Sequence, residues 1–485
     1  LTVAKIAGLL TLAGLAGYGA YVQAEAEAAT EATDDLATRF AKGLLTEEYN
    51  FSGIRYTNEN TVFVLHVEGK DEQFIDIALQ RAAEHALLHP EGAGVQRVAQ
   101  RQMPPWHIDQ SVGVQKFKND MSLTQKQIDT IVAWVDAGAP QGDPKDLPPA
   151  KPLSTDNEWQ GVKDGFGPPD LVVKSSEYNM PANHQDVWYR PQSDIPINEP
   201  KWVRMVEIRP TTLAARKTMP HSIASLMLND DPDAVNTGTA NGPAPAATRD
   251  DLVSRRPQLM EWAIGKGYDR FREGTGKLIV PGEKISWDQH IHAASENVST
   301  GSEIGLWFYK KGEEPKKRSY LIGFTGLRER GFLDIAPNSL AFTEGFTVLK
   351  ENTIITNFQP HFHLRGKAMQ VEAILPDGAR QIVSYVGNFN FNWMTNYIFT
   401  DEAAPVFPKG TIIKVSAYYD NTKANKSNPD PDQWVGYGDR TVDEMAHAWM
   451  NVVYLSDAEY AERVAKYGIG VTNGVKPSTG TSQQQ

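Results

Sequence analysis

The chain has 485 residues, 40% hydrophobic and 22% charged, with a formal net charge of -12 and no cysteine. Its length exceeds one ordinary core and points to about three domains, and its composition is that of globular protein. The acidic balance argues against nucleic acid as a partner, since phosphate binding needs a basic face. The lack of cysteine excludes disulfides, thiolate metal sites, iron–sulfur clusters, covalent haem and cysteine nucleophiles. Any metal must be held by His, Met, Asp, Glu or backbone oxygen.

In chain order, residues 1–24 read as an export signal: Lys5 precedes an uncharged stretch over residues 6–24, and Ala24 and Ala26 offer a cleavage position. The stretch is also long enough to span a bilayer, so an uncleaved anchor is the alternative. The expected location is periplasmic or extracellular, free after cleavage or, in the alternative, anchored in the inner membrane through residues 6–24. The opening Leu1 is read as a truncated or alternative start. Residues 25–45 (EAEAATEATDD and flanks) form an acidic linker.

Residues 46–140 carry a helical pattern, as in IDIALQRAAEHALL and LTQKQIDTIVAWVDAG, the second ending at Gly138. Ser122-Leu-Thr-Gln125 resembles a capping box at its start. The Pro-rich stretch 141–158 disfavours helix and central strand, and marks a domain boundary. From Trp159 short alternating runs set in, such as KWVRMVEIRP and SEIGLWFYKKG, followed from about Leu333 by a second series. Two such series predict two tandem β-sandwiches, over 159–330 and 331–457, before a tail at 458–485. Residues 229–276 have few strand signals and read as a long loop or insertion.

The sharpest constellation is Pro360-His361-Phe362-His363-Leu364-Arg365-Gly366-Lys367. On a strand, residues i and i+2 share a face, so His361 and His363 converge while Phe362 packs opposite. Two imidazoles on one face suit copper or zinc. The bland alternative is a pair of partly exposed strand histidines. No Ser nucleophile elbow, phosphate-binding Gly loop or HExxH signature is present.

The strings PHFHLRGKAMQVEAILPDG, FNFNWMTNYIF and AYYDNTKANKSNPDPDQWVGYGDRTVDEM resemble the C-terminal half of the type II copper, ascorbate-dependent monooxygenases. The bacterial branch with an N-terminal cytochrome c-like domain is the nearest likeness. The resemblance spans about residues 50–455 and implies a mainly β fold: two jelly-roll-type sandwiches preceded by a small helical cytochrome c-like domain. It implies a catalytic copper held by His361, His363 and Met445, and a thioether suits Cu(I). Taken alone, Met445 is ordinary core filling. His447, two residues on, is left unassigned.

The family's second copper uses an adjacent His-His pair and a later His. Here the pair has become Pro220-His221, and the later ligand matches His290, with an extra His292 at i+2. His221, His290 and His292 are therefore expected either to rebuild a three-nitrogen site or to be ordinary polar residues where that site has decayed. In the helical domain, Met103 of RQMPPWH resembles an axial haem ligand, and Val62-Phe63-Val64-Leu65-His66 stands where CxxCH would be. The expectation there is a haem-free remnant, the alternative being a non-covalent haem ligated by His66 and Met103.

The resemblance implies an oxidoreductase that activates O2 at copper and hydroxylates a C–H bond of a small molecule, with ascorbate or a similar reductant as donor. The alternative, favoured by the lost haem motif and by Pro220, is a non-catalytic copper-binding or structural subunit with cell-envelope protein partners. A zinc hydrolase is disfavoured because methionine is a poor zinc ligand.

Overall fold

Residues 55–57, 60–62, 93–140, 142, 158–227, 258–328 and 332–474 are described by a computed structural model. The export segment, the acidic linker and His66 lie outside the described residues. Among the described residues no helix is long and apolar enough to cross a membrane. The chain is mainly β, and it divides into two units, Leu1–Trp106 with Met121–Glu158, and His107–Asp120 with Trp159–Gln485.

The first unit holds the antiparallel pair β1 (Arg55–Thr57) and β2 (Asn60–Val62), and helices α1 (Ala93–Ala99) and α2 (Gln125–Asp136). The helix α2 is capped by Thr124, whose hydroxyl accepts the Gln127 N–H while the Gln127 side chain accepts the Thr124 N–H. The box thus begins two residues after the expected Ser122 frame. The small core of this unit is Val98, Ile128 and Ile131, and Met103 packs against it.

Residues His107–Asp120, expected in the helical domain, belong to the second unit. The reason is burial: Ile108 and Val114 are covered, and the Val114 N–H bonds the Val383 carbonyl at 3.0 Å.

The first half of the second unit is built of β3 (Leu171–Lys174), β4 (Tyr178–Met180), β5 (Val187–Tyr189), β6 (Gln192–Asp194), β7 (Lys201–Pro210), β8 (His221–Leu226), β9 (Gln258–Ala263), β10 (Tyr268–Arg270), β11 (Thr275–Ile279), β12 (Lys284–Ile291), β13 (Val298–Thr300), β14 (Ser302–Phe308) and β15 (Lys317–Arg318). One sheet runs β15-β11-β7-β14-β3 with β10 on β7; the other runs β5-β12-β8-β9 with β6 on β12. Their facing residues make one core, Val203, Val206 and Ile208 meeting Ala224, Leu226, Ile285 and Trp287. Each fully buried aliphatic side chain contributes roughly 1.5–3 kcal/mol.

The second half is built of β16 (Tyr320–Thr325), β17 (Asp334–Ile335), β18 (Leu340–Val348), β19 (Asn352–Ile355), β20 (Asn357–His361), β21 (Gly366–Ile374), β22 (Arg380–Val386), β23 (Tyr397–Ile398), β24 (Val406–Phe407), β25 (Ile412–Asp420), β26 (Val435–Gly436) and β27 (His447–Leu455), with helix α3 (Asp457–Tyr467) after it. Its sheets run β23-β20-β27-β19-β24, with β16 on β27, and β18-β25-β21-β22. Because β16 pairs with β27, the second sandwich starts between Arg318 and Tyr320, ahead of residue 330.

The expected insertion over 229–276 is cut short by β9, whose QLMEWA run is buried at five of six positions. Its inner face joins the first core, and β16 of the second sandwich lies against it. Two-sided burial removes the polar–apolar alternation that marks a strand in sequence.

Alternation also aims the histidines. In β8, Ser222, Ala224 and Leu226 are buried, so His221 stands on the other face, away from the first core. In β27, Ala448, Met450 and Val452 are buried, and His447 likewise faces away from the second core.

Candidate metal centre

Two cross-strand histidine pairs meet at the seam between the sandwiches. His221 on β8 lies directly opposite His290 on β12, with ring centroids 4.7 Å apart. His361 on β20 lies opposite His447 on β27, with centroids 6.3 Å apart. His363 follows just beyond β20, its ring 5.6 Å from that of His361. Across the seam, His221 is 5.6 Å from His361 and 6.3 Å from His363.

Each half has its own support. The His290 Nε2 is 2.8 Å from Asp186 Oδ2, and the ring stacks at 4.6 Å on Trp188, its partner on β5. The His363 Nδ1 lies 3.0 Å from the Asp443 carbonyl, which can only accept, so Nδ1 carries the proton. His363 Nε2 is then the lone-pair nitrogen, and it is buried without a hydrogen-bond partner, as is His290 Nδ1.

The fully buried Glu444 carboxylate ties the His363 turn to the segment entering β27. It accepts the backbone N–H of His363 at 3.0 Å, of Arg365 at 2.5 Å and of Met445 at 3.2 Å. Burial pushes this carboxyl up to about 7 against the pull of those donors. The Arg365 guanidinium bonds Asn421 Oδ1 and the carbonyls of Val442 and Asp430, anchoring the same turn. Gly366 is required there, because a Cβ would lie 2.2 Å from the Phe362 Cβ.

Burial, then the neighbouring imidazoles, hold His221 and His361 well below the ordinary range. Burial lowers His363 to about 4. All three are neutral near pH 7, the form that ligates metal.

Of the sequence-predicted residues, His361, His363, His221 and His290 come together. His292 stands one residue past β12, and its ring is in none of the ring contacts among the described residues; its backbone N–H bonds the Thr218 carbonyl at 2.8 Å. Met445 is half-buried, and its carbonyl accepts the Tyr419 hydroxyl at 3.3 Å. A thioether also stands beside His361, that of Met394, whose Sδ is 3.2 Å from His361 Nδ1. Glu261 on β9 places Oε1 4.0 Å from the same nitrogen. Met394 lies within the FNFNWMTNYIF string but in a loop, where no periodicity aims a side chain, and Glu261 lies on β9, where burial of both faces removes the alternation.

Two imidazoles sharing one ion at about 2.0–2.1 Å place their ring centres roughly 5–6 Å apart. The spacings across this cluster span that range. As placed, no three His, Asp or Glu side chains close on one ion among the described residues, so ligation requires ring rotation. The donor set, buried imidazoles, of which His363 Nε2 and His290 Nδ1 lack hydrogen-bond partners, and a thioether, fits copper.

No family model and no curated protein matches this chain. Among solved structures, it is similar to N-glycanase F (PNGase F) at 7% identity and a TM-score of 0.28, over 59% of this chain and 96% of that one. It is likewise similar to the major capsid protein P2 of bacteriophage PM2 at 10% identity and a TM-score of 0.24, over 59% and 98%. Likenesses at this level carry neither fold nor function across.

Proposed function

We propose that this protein is a copper-dependent oxidoreductase of the monooxygenase type, acting in the periplasm or outside the cell. The observation that carries the reading is the gathering of His221, His290, His361, His363 and His447 at one seam. His361 and His363 would hold the catalytic copper with a thioether, assigned to Met445 by the resemblance. Bound copper would supply dioxygen binding and one-electron chemistry toward C–H hydroxylation of a small molecule, with ascorbate or a similar donor. The chain's part is to present neutral imidazoles, fix the His363 tautomer through Asp443, and hold the turn through Glu444 and Arg365.

The test is copper content per chain, followed by ascorbate-dependent oxygen uptake with candidate substrates. Stoichiometric copper with substrate-dependent uptake supports the reading; a protein that takes up no copper overturns it. A second reading, a non-catalytic copper-binding subunit of an envelope complex, is favoured by burial: His290, His361 and His363 are 0%, 4% and 1% exposed, which leaves little room for substrate at those rings. Copper binding without oxygen uptake selects it.

A further inference from the structure

We propose that His221 of the first sandwich, with His361, His363 and Met394 of the second, holds a single Cu(I) ion across the seam. The inference rests on the copper reading above and changes its architecture: one centre shared by both halves, in place of independent sites.

Three observations lead to it. The His221 ring is as near to His361, at 5.6 Å, as His361 is to His363, so the cluster does not break between the sandwiches. Ligands of one ion at about 2.0–2.3 Å lie roughly 3–3.5 Å apart, which matches the 3.2 Å between Met394 Sδ and His361 Nδ1. Three imidazoles and a thioether make a donor set suited to Cu(I).

The seam itself is fixed by backbone. The Met394 N–H bonds the Ile264 carbonyl at 2.8 Å, which joins the loop carrying the sulfur to the turn after β9. Gly265 in that turn has φ +91°, and a Cβ there would lie 2.6 Å from the Trp393 Cα. The close approach is open only to glycine. Beside it, Asn396 Nδ2 bonds Asp269 Oδ1 at 2.7 Å. Met394 is 1% exposed, buried in the cluster rather than on the surface.

The experiment measures Cu(I) affinity by competition with a chromophoric chelator, and the sulfur shell by X-ray absorption, on the full chain. His221→Asn should weaken Cu(I) by at least about tenfold, and Met394→Leu should remove the sulfur scattering. His184→Ala, at an exposed histidine outside the cluster, should change neither. The thermal transition of each metal-free variant establishes that it is folded, and Met394→Leu serves where His221→Asn does not fold. A loss of less than tenfold in folded His221→Asn, sulfur scattering that persists in Met394→Leu, or an equal loss in His184→Ala overturns the shared centre. Wild-type protein that binds no Cu(I) overturns the functional reading as well, whereas wild-type binding indifferent to His221 and Met394 overturns this inference alone.

Discussion

The two sides of the seam hold their histidines by different means. On the first sandwich, His290 is bound at Nε2 by a carboxylate, Asp186, and stacked on Trp188. On the second, His363 is bound at Nδ1 by a neutral carbonyl, and His361 touches a thioether. A carboxylate partner makes an imidazole a more basic donor, while carbonyl and sulfur partners leave a softer set. If the seam holds copper as proposed, the carboxylate behind His290 would favour the oxidised metal, and the carbonyl and thioether of the second side the reduced one. The contrast shows that the atom behind each imidazole, as much as the imidazole itself, sets what the face prefers.

Removing the second side should have the largest effect. His361→Ala and His363→Ala should each weaken copper by about a hundredfold or more, beyond the 10–100-fold typical of outer partners. Unchanged copper in both variants breaks the assignment. Asp186→Asn tests the first side more gently: copper affinity should fall about tenfold, with the deficit larger for Cu(II) than for Cu(I). An equal loss in both oxidation states removes the contrast. Gly366→Ala probes the backbone under the second side. Its Cβ would strike Phe362, so unfolding in urea should show a loss of about 1–3 kcal/mol, and the Cu(I) affinity should drop with it.

Much of this was legible in the sequence. Strand alternation placed His361 on a strand, and the mainly β, two-sandwich fold follows from KWVRMVEIRP, SEIGLWFYKKG and the later series. His363 proved to sit in a turn, yet its ring still neighbours that of His361, because Glu444 and Arg365 hold the turn closed. Other features were hidden for physical reasons. The β9 strand lacks alternation because both its faces are covered, which concealed Glu261. Met394 reaches His361 from a loop, where no periodicity applies. The α2 cap fell on the second of two overlapping Ser/Thr-x-x-Gln frames, and spacing alone does not choose between them. The approach of the two sandwiches, which brings His221 to His361, depends on contacts far apart in the chain.

The smallest expected effect separates burial from clustering. His107 lies outside the cluster in the second unit, its backbone N–H bonded to the Tyr397 hydroxyl at 3.2 Å, and burial lowers its pKa to about 4. His363 is also lowered to about 4, within the cluster. Both return to about 6.5 in the unfolded chain. Between these values the unfolded state binds more protons than the folded one, so stability rises with pH. The contribution is whole above about pH 6.5 and is lost as pH falls through about 4. In metal-free protein, His107→Gln should lower the slope of unfolding free energy between pH 4 and 6.5 by about one proton, or about 1.4 kcal/mol per pH unit at most. His363→Gln should remove a similar share, and the double variant should remove their sum, because the two lie in different surroundings. Copper added to the His107→Gln variant should bind as in wild type, since that ring takes no part in the centre. A slope unmoved by His107→Gln would show that its burial does not set its titration, and a copper deficit in that variant would draw His107 into the cluster.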